Sequence, residues 1–154
     1  MTDTPWLDRE QQRIWRAFLR MQAELGAQLG RQLQEDSALS LTDFQVLVQL
    51  TDVPEGQIRI LELARGLQWE KSRLSHQLSR MEKRGLIARH QCPRDGRSTF
   101  IALTPAGRQA IEAAAPEHVR TVRRLLVDAL TPEQLSTLGD IADRVLARIE
   151  AERR

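Results

Sequence analysis

The sequence predicts a mainly α-helical protein with one small β-hairpin, and three observations support this fold class. Apolar residues recur at three- and four-residue steps along most of the chain, which is the spacing of amphipathic helices. Two short strand-like runs flank a single tip that contains proline and glycine. The chain has 154 residues, 41% of them hydrophobic, so we expect one packed domain rather than disorder or two independent cores.

The first two helices follow from periodicity and from capping signals. A proline-free stretch over about 8–35 predicts one long amphipathic helix. Its apolar positions include Ile14, Phe18, Met21, Leu25 and Leu29. The capping-box pattern Thr42-x-x-Gln45 predicts a second helix over about 42–52, which ends before Pro54.

Two further helices separated by a tight turn are predicted next. The third is short, over 60–66, and the fourth spans about 70–84. The narrow apolar stripe of the fourth helix consists of Leu74, Leu78 and Met81. Trp69 and Leu74 are placed to form a hydrophobic staple at its start, and Gly85 is a good helix stop.

A β-hairpin is predicted after the fourth helix. Its strands are the runs 86–91 and 98–103, and its tip is Cys92-Pro93-Arg94-Asp95-Gly96-Arg97. The tip carries two arginines, so we expect an exposed basic loop.

Two more helices are predicted towards the C-terminus. Thr104-Pro105 places a capping residue before a proline at the first helical position, which starts a fifth helix. Pro116 is expected to kink or break that helix near 113–116, because it removes an amide donor and crowds the preceding turn. A second capping box, Thr131-Pro132-Glu133-Gln134, starts a sixth helix that continues close to the C-terminus.

Positive charge is concentrated in the middle of the chain. The segment 59–108 carries 11 Lys and Arg and 4 Asp and Glu, a net charge of +7, whereas the rest of the chain carries −5. This distribution is typical of a module that binds a polyanion, although a basic solvated face without function has the same composition.

One face of the fourth helix is polar throughout. On a helical wheel with Leu74 facing inward, the opposite side holds Ser72, His76, Ser79, Arg80 and Lys83, with Arg73 and Ser75 at its flanks. Serine and arginine suit phosphates and base edges, and arginine can clamp guanine with a bidentate fork. This face alone would be interpreted as a solvated surface.

The basic tip that follows the fourth helix favours DNA binding over a solvated surface. Helix, turn, helix and hairpin, in this order, make a winged helix-turn-helix, in which a helix enters the major groove and a wing arginine reaches the minor groove. We expect Arg94 and Arg97 to contact DNA, and Asp95 to orient one of them.

Four motifs then stand in order along the chain. They are Leu63-Ala64-x-x-Leu67, Lys71-Ser72-x-x-Ser75-x-x-Leu78-x-Arg80-Met81-Glu82-Lys83-Arg84-Gly85-Leu86-Ile87, Asp95-x-Arg97 and Leu103-Thr104-Pro105-x-Gly107. Together they resemble the multiple antibiotic resistance regulator (MarR) family, and the resemblance covers nearly the whole chain. The Asp-x-Arg wing followed by Leu-Thr-x-x-Gly is its most specific part.

The resemblance implies a homodimer on a palindromic double-stranded DNA operator, with release of DNA when a small ligand or an oxidant acts on the protein. We expect a single domain, 1–154, with a winged helix-turn-helix lobe over about 42–104 and dimerisation helices over about 8–35 and 105–152. The residues expected to contact DNA are Lys71, Ser72, Arg73, Ser75, His76, Arg80, Arg94, Asp95 and Arg97.

The terminal helices support a dimer independently of the resemblance. Their apolar stripes are too extensive for a helix-turn-helix of some fifty residues to cover, so they need a partner, although an ordinary intrachain bundle is the alternative. Pairing through Ile14, Phe18, Val145 and Ile149 would set the two recognition helices about 34 Å apart, one duplex turn.

Two further features of the sequence concern regulation. Trp15, Phe18 and Phe44 are candidates for an apolar effector pocket that takes a small aromatic or apolar molecule, although aromatic residues at helical spacing are more often core. Cys92 at the hairpin tip is a candidate oxidant sensor, but a lone cysteine is usually only a small side chain. The resemblance places oxidant-sensing cysteines in the first helix, where this chain has none.

Other classes of protein find little support in the sequence. The catalytic motifs of zinc proteases, dinucleotide-binding enzymes, P-loop enzymes and serine hydrolases are absent, so we expect a non-enzyme without metal or cofactor. The lack of a secretory signal and of a long apolar run predicts a cytoplasmic protein without a membrane partner. A winged-helix protein-interaction module remains the alternative, but it would expose apolar residues where this sequence has polar ones.

Overall fold

The computed structural model describes residues 3–91 and 98–154. Contacts among these residues define two compact units, Met1–His118 and Val119–Arg154. The elements in chain order are α1 (Arg9–Asp36), α2 (Leu41–Thr51), β1 (Gln57–Arg59), α3 (Ile60–Leu67), α4 (Lys71–Lys83), β2 (Ile87–Gln91), β3 (Thr99–Leu103), α5 (Pro105–Val122), a π-helical segment (Arg123–Val127) and α6 (Pro132–Glu152). The mainly α fold with a small hairpin is therefore confirmed.

The long first helix is present with a capping box at its start. The Asp8 carboxylate accepts a 2.8 Å hydrogen bond from the Gln11 amide, and the Gln11 side chain accepts a 3.0 Å bond from the Asp8 amide. These two bonds satisfy amide groups that have no partner within the helix.

The capping box of α2 differs from the prediction. Ser40 caps the helix and pairs reciprocally with Asp43, whereas the sequence pattern at Thr42 and Gln45 predicted a later start. That prediction is wrong because both residue pairs satisfy the pattern locally, and the long-range contacts of Asp43 described below favour the earlier one.

A three-stranded antiparallel sheet follows the order β1-β3-β2. The predicted hairpin is confirmed, with His90 opposite Phe100 in its register. The strand β1 was not predicted from the sequence, and its Ile58 stands opposite Ile101 of β3. Three residues are too few to show an alternating pattern, so only pairing with β3 defines this strand.

Two glycines shape the ends of α4 and α5. Gly85 ends α4 with a φ of 76°, a conformation that a side chain disfavours, as its predicted role requires. At Gly107, a Cβ would lie only 2.0 Å from the carbonyl oxygen of Leu86. The start of α5 therefore packs so closely on the backbone before β2 that only a residue without a Cβ fits at this position.

The fifth helix continues through Pro116, so of the kink or break predicted near 113–116 the break is wrong. The helical hydrogen-bonding pattern changes only in the π-helical segment after Val122. Proline removes one bond to the carbonyl four residues earlier, at Glu112, and both residues are exposed. Water can therefore satisfy the carbonyl that loses its donor.

The sixth helix starts where its capping box predicts. Thr131 accepts a 3.1 Å hydrogen bond from the Gln134 amide, and the Gln134 side chain accepts a 2.9 Å bond from the Thr131 amide.

The apolar core of the first unit surrounds the inner face of α4. The three residues of the predicted stripe, Leu74, Leu78 and Met81, are fully buried. They belong to a cluster with Leu33, Leu47, Leu50, Leu63, Ile87, Ile101 and Ile111. Since helices and sheet all pack on its inner face, α4 presents its outer face to solvent.

Candidate nucleic-acid interface

The outer face of α4 carries the predicted contact residues. Those that are exposed are Lys71, Ser72, Arg73, His76 and Arg80, while Ser75 is half-buried. Ser72 and His76 lie on the side of α4 opposite Leu74, Leu78 and Met81, whereas Arg73 and Ser75 flank that side. Lys71 is exposed in the first turn of the helix. This face has cationic and hydroxyl groups for phosphate and base contacts.

The remaining predicted contacts belong to the hairpin tip. Arg94, Asp95 and Arg97, like Cys92, lie outside the described residues, and so does the expected pairing of Asp95 with an arginine. In the sequence they follow β2 and precede β3, whose pairing in register is described above.

A buried polar network fixes α4 against α2. Asp43 and Gln77 are only 4% and 5% exposed, and the Gln77 amide donates a hydrogen bond to the Asp43 carboxylate. The guanidinium of Arg84 donates a 2.7 Å bond to the same carboxylate and another to the carbonyl oxygen of Ala38. Since α4 would carry the DNA-reading side chains, this network sets their orientation.

The charge of Asp43 is stabilised by its neighbours. Burial by itself raises the pKa of this carboxyl, but the Ser40 amide and the Arg84 guanidinium lower it by more. The net pKa lies below its usual value of 3.8, so the carboxylate is ionised at neutral pH.

A second clamp holds α4 from the sheet side. Arg89 on β2 donates 2.9 Å hydrogen bonds to the carbonyl oxygen of Ser75 and to the hydroxyl of Ser79. Ser79 was expected on the outer face, and it is exposed there, but its hydroxyl is engaged by this arginine.

Sequence reasoning missed Asp43, Gln77, Arg84 and Arg89 as supports of the interface. A polar residue on the inner side of an otherwise apolar stripe, as Gln77 is, would have been the available signal.

Two of the outer cations have intramolecular partners. Arg80 donates a 2.9 Å hydrogen bond to the side-chain oxygen of Gln77, which joins it to the buried network. The guanidinium of Arg73 lies over the indole of Trp69, 4.5 Å from the ring centroid. Both arginines are therefore held in defined positions on the exposed face.

An open groove of about 690 Å³ lies between α1, α2 and the turn before α4. Its lining is mainly apolar, with glutamine side chains and His118 as polar groups. The lining residues are Gln22, Leu25, Gly26, Leu29, Leu41, Phe44, Gln45, Val48, Gln49, Gly66, Leu67, Trp69 and His118. Of the three predicted pocket aromatics, Phe44 lines this groove, whereas Trp15 and Phe18 lie elsewhere, stacked 6.0 Å apart on exposed positions of α1.

The polar end of the groove centres on His118. Its ring lies 4.3 Å from the Phe44 ring, and its Nδ1 is 3.3 Å from the side-chain oxygen of Gln32. Burial lowers the pKa of His118 below its usual value of 6.5, so the imidazole is neutral at pH 7. The groove therefore presents an aromatic wall and a neutral hydrogen-bonding group.

Two helices expose apolar stripes. On α1 the exposed residues are Ile14, Trp15, Phe18, Leu19 and Met21. On α6 they are Ile141, Val145, Leu146 and Ile149. Stripes of this length are typical of surfaces that another protein chain covers.

The described residues contain neither a metal-binding cluster nor a helix able to span a membrane. Among the described residues, no group of three or more His, Cys, Asp and Glu stands close enough to hold a metal ion. None of the helices in 3–91 and 98–154 combines the length and the apolar character that crossing a bilayer requires.

Comparison with known proteins gives consistent matches. The MarR family sequence model matches residues 39–99. A curated Bacillus cereus protein named as an uncharacterized HTH-type transcriptional regulator is 30% identical over 133 residues, which cover 86% of this chain and 86% of the relative.

Two crystal structures from Streptomyces coelicolor are similar over almost the full length. AbsC, a MarR family transcriptional regulator, is 35% identical with a TM-score of 0.90, covering 96% of this chain and 99% of its own. Sco3205, a MarR family transcriptional regulator in complex with DNA, is 38% identical with a TM-score of 0.89, covering 96% and 91%.

Proposed function

The chain belongs to the MarR family of transcriptional regulators, and on this premise we propose that it is a ligand-responsive repressor that binds a palindromic operator as a homodimer. It is a DNA-binding transcriptional regulator, as its family is. We propose that each chain forms a single domain, 1–154, in which the lobe over about 42–104 reads DNA. The helices over about 8–35 and 105–152 would pair with those of a second copy.

The DNA-binding role is supported above all by the contrast between the two faces of α4, one buried and apolar, the other exposed and cationic. Its inner face is fully buried in the core, and its outer face exposes Arg73, His76 and Arg80 without an acidic residue among them. The basic segment around it supplies the local positive charge that phosphate contacts need. The DNA complex of Sco3205 supports the same use of this fold.

The homodimer is supported by the exposed stripes on α1 and α6. Thirteen large apolar side chains are exposed among the described residues, and most of them lie on these two helices. A second copy of the chain would cover them, and two copies would place two α4 helices on the two halves of a palindrome.

Ligand response is supported by the groove beside α1 and α2. Its volume of about 690 Å³ fits a small organic molecule, and its lining contains no Lys, Arg, Asp or Glu. We propose a small, uncharged aromatic or apolar effector, which would stack on the aromatic wall and accept or donate a hydrogen bond at His118. Repression then results from the bound dimer covering promoter DNA, and the effector releases it.

The decisive experiment is selection of binding sites from random duplexes and from the genome with the purified full-length protein at physiological salt. We expect an enriched palindrome whose half-sites lie about 10 base pairs apart, centre to centre, and an occurrence near the promoter of the protein's own gene. Enrichment of no sequence, together with no duplex binding at low salt, would refute the DNA-binding role.

The direction of regulation needs a separate experiment. A reporter driven by the selected promoter is expected to be less active when the protein is present. A more active reporter would leave DNA binding intact and contradict repression.

A further inference from the structure

Trp69 occupies a fixed position at the end of the turn between α3 and α4. Gln68 before it has a φ of 58°, in the left-handed region, and the Trp69 amide donates a 3.1 Å hydrogen bond to the carbonyl oxygen of Ala64. The side chain is half-buried and packs against the apolar core. The backbone and the core together therefore define where the indole ring lies.

Arg73 uses this ring as a support. It is the third residue of α4, exposed, and its Cζ lies 4.5 Å from the centroid of the indole. Tryptophan is the aromatic residue that attracts a guanidinium most strongly through its ring face. A long arginine side chain that is free in solution loses rotamer entropy when it binds, and one that is already held loses less.

We propose that Trp69 is a positioning residue for base recognition, which holds the Arg73 guanidinium at the start of α4 where it can fork onto a guanine in the major groove. N-terminal residues of a recognition helix are those that contact base edges, and arginine to guanine is the commonest specific contact. This inference rests on the proposed DNA-binding function. It goes further by assigning the sequence preference to two residues, Arg73, which contacts the base, and Trp69, which contacts no DNA.

The first test measures preference for the selected palindrome over a random duplex. Trp69→Leu keeps an apolar side chain against the core but removes the ring, and we expect it to lower the preference about 2- to 5-fold, the range for a cation–π contact at an exposed site. Trp69→Phe keeps a ring and should retain most of the preference. Binding to the random duplex reports that each variant is folded.

Double variants decide whether the effect passes through Arg73. In an Arg73→Ala background, Trp69→Leu should cause no further loss of preference, whereas in a Lys71→Ala background it should cause its full loss. Lys71 is the matched control because it is an exposed cation in the same turn. Equal losses in the two backgrounds, or equal weakening on both duplexes, would overturn the proposal.

A second measurement leaves Trp69 in place. The chain has three tryptophans, so replacing Trp6 and Trp15 by phenylalanine leaves Trp69 as the single fluorophore. Arg73→Ala should then shift its emission and Lys71→Ala should not, and an emission spectrum unchanged by Arg73→Ala would overturn the proposal. If the wild-type protein enriches no sequence at all, the DNA-binding role fails, whereas an enriched sequence that Trp69→Leu reads as well as the wild type refutes only this inference.

Discussion

Asp43 and Arg84 are 41 positions apart in the sequence, and Nη1 of Arg84 donates a 2.7 Å hydrogen bond to Oδ2 of Asp43. Asp43 belongs to the first turn of α2, and Arg84 is the C-cap residue of α4. The Asp43 carboxylate therefore takes part in the capping box of α2 and also binds the C-terminal end of α4. A single side chain thus both caps one helix and helps to orient the proposed recognition helix.

Replacing Asp43 by asparagine should destabilise the protein by about 1 to 3 kcal/mol, because the new amide nitrogen would face a donor, either Gln77 or Arg84, where an acceptor is needed. Urea unfolding at pH 7 measures this loss. Asp36→Asn is the matched control, since that carboxylate is exposed and accepts from Gln32, and we expect less than about 0.5 kcal/mol there. Equal losses at the two positions would contradict the network's role.

The free energies of unfolding of the wild type and of Asp43→Asn should also differ in their dependence on pH. The pKa of Asp43 is lowered on folding, so the unfolded chain binds the proton more readily and the ionised carboxylate stabilises the fold. This stabilisation is present above the unfolded pKa of about 3.8 and is lost as the pH falls through the folded pKa. The difference in unfolding free energy between wild type and Asp43→Asn should therefore be constant from pH 8 to about pH 5 and shrink below about pH 4.

Gly107→Ala should destabilise the protein by about 3 kcal/mol, at the upper end for overpacked sites, because its Cβ would meet a backbone carbonyl that no side-chain rotation can move. Gly139→Ala is the control, since that glycine is inside α6 with open space around it. Alanine there should stabilise the helix by up to about 1 kcal/mol. Thermal unfolding of the two variants should show shifts of opposite sign, and a tolerated Gly107→Ala would refute the close approach.

Ile14→Asp should convert a dimer into a monomer, because it places a charge in the apolar stripe that the second copy is proposed to cover. Leu61→Asp is the control, since Leu61 has the same exposure of 54% but lies on α3, away from the stripe. Sedimentation velocity at micromolar concentration separates the two species. A wild-type protein that is already monomeric, or a dimer that survives Ile14→Asp unchanged, contradicts the proposed pairing through α1.

Arg97→Ala should weaken binding to every duplex alike and lower the slope of log affinity against log salt by about one, as expected when one phosphate contact is lost. The control is Arg31→Ala, because Arg31 is exposed and pairs with the neutral Gln28, so no carboxylate is left unpaired. Titrations at several salt concentrations measure the slope. An unchanged slope for Arg97→Ala would show that the wing does not contact phosphate as proposed.

Local signals in the sequence predicted most of the helices and the hairpin. The apolar periodicity of α1, the capping box at Thr131, the glycine stop at Gly85 and the apolar stripe of α4 each involve only nearby residues. They can therefore be recognised without the rest of the molecule. The polar outer face of α4 follows from the same periodicity, which is why Ser72, Arg73, Ser75, His76 and Arg80 were found, whereas Lys71 was named from the family motif.

Where two local signals compete, the sequence cannot decide between them. Ser40 and Thr42 both offer a cap for α2, and only the contacts of Asp43 with Gln77 and Arg84 select the first. The strand β1 likewise forms only by pairing with a strand distant in the chain. The residues that line the groove also come from distant parts of the sequence.

The sequence by itself determined that this chain is a helical protein with a basic helix, turn, helix and hairpin in its middle, because periodicity, capping and charge are properties of neighbouring residues. Only the tertiary structure decided how α4 is held and what Arg73 rests on. Hydrogen bonds across 34 and 41 positions, and the seating of an indole against the core, depend on elements that meet only after the chain has packed.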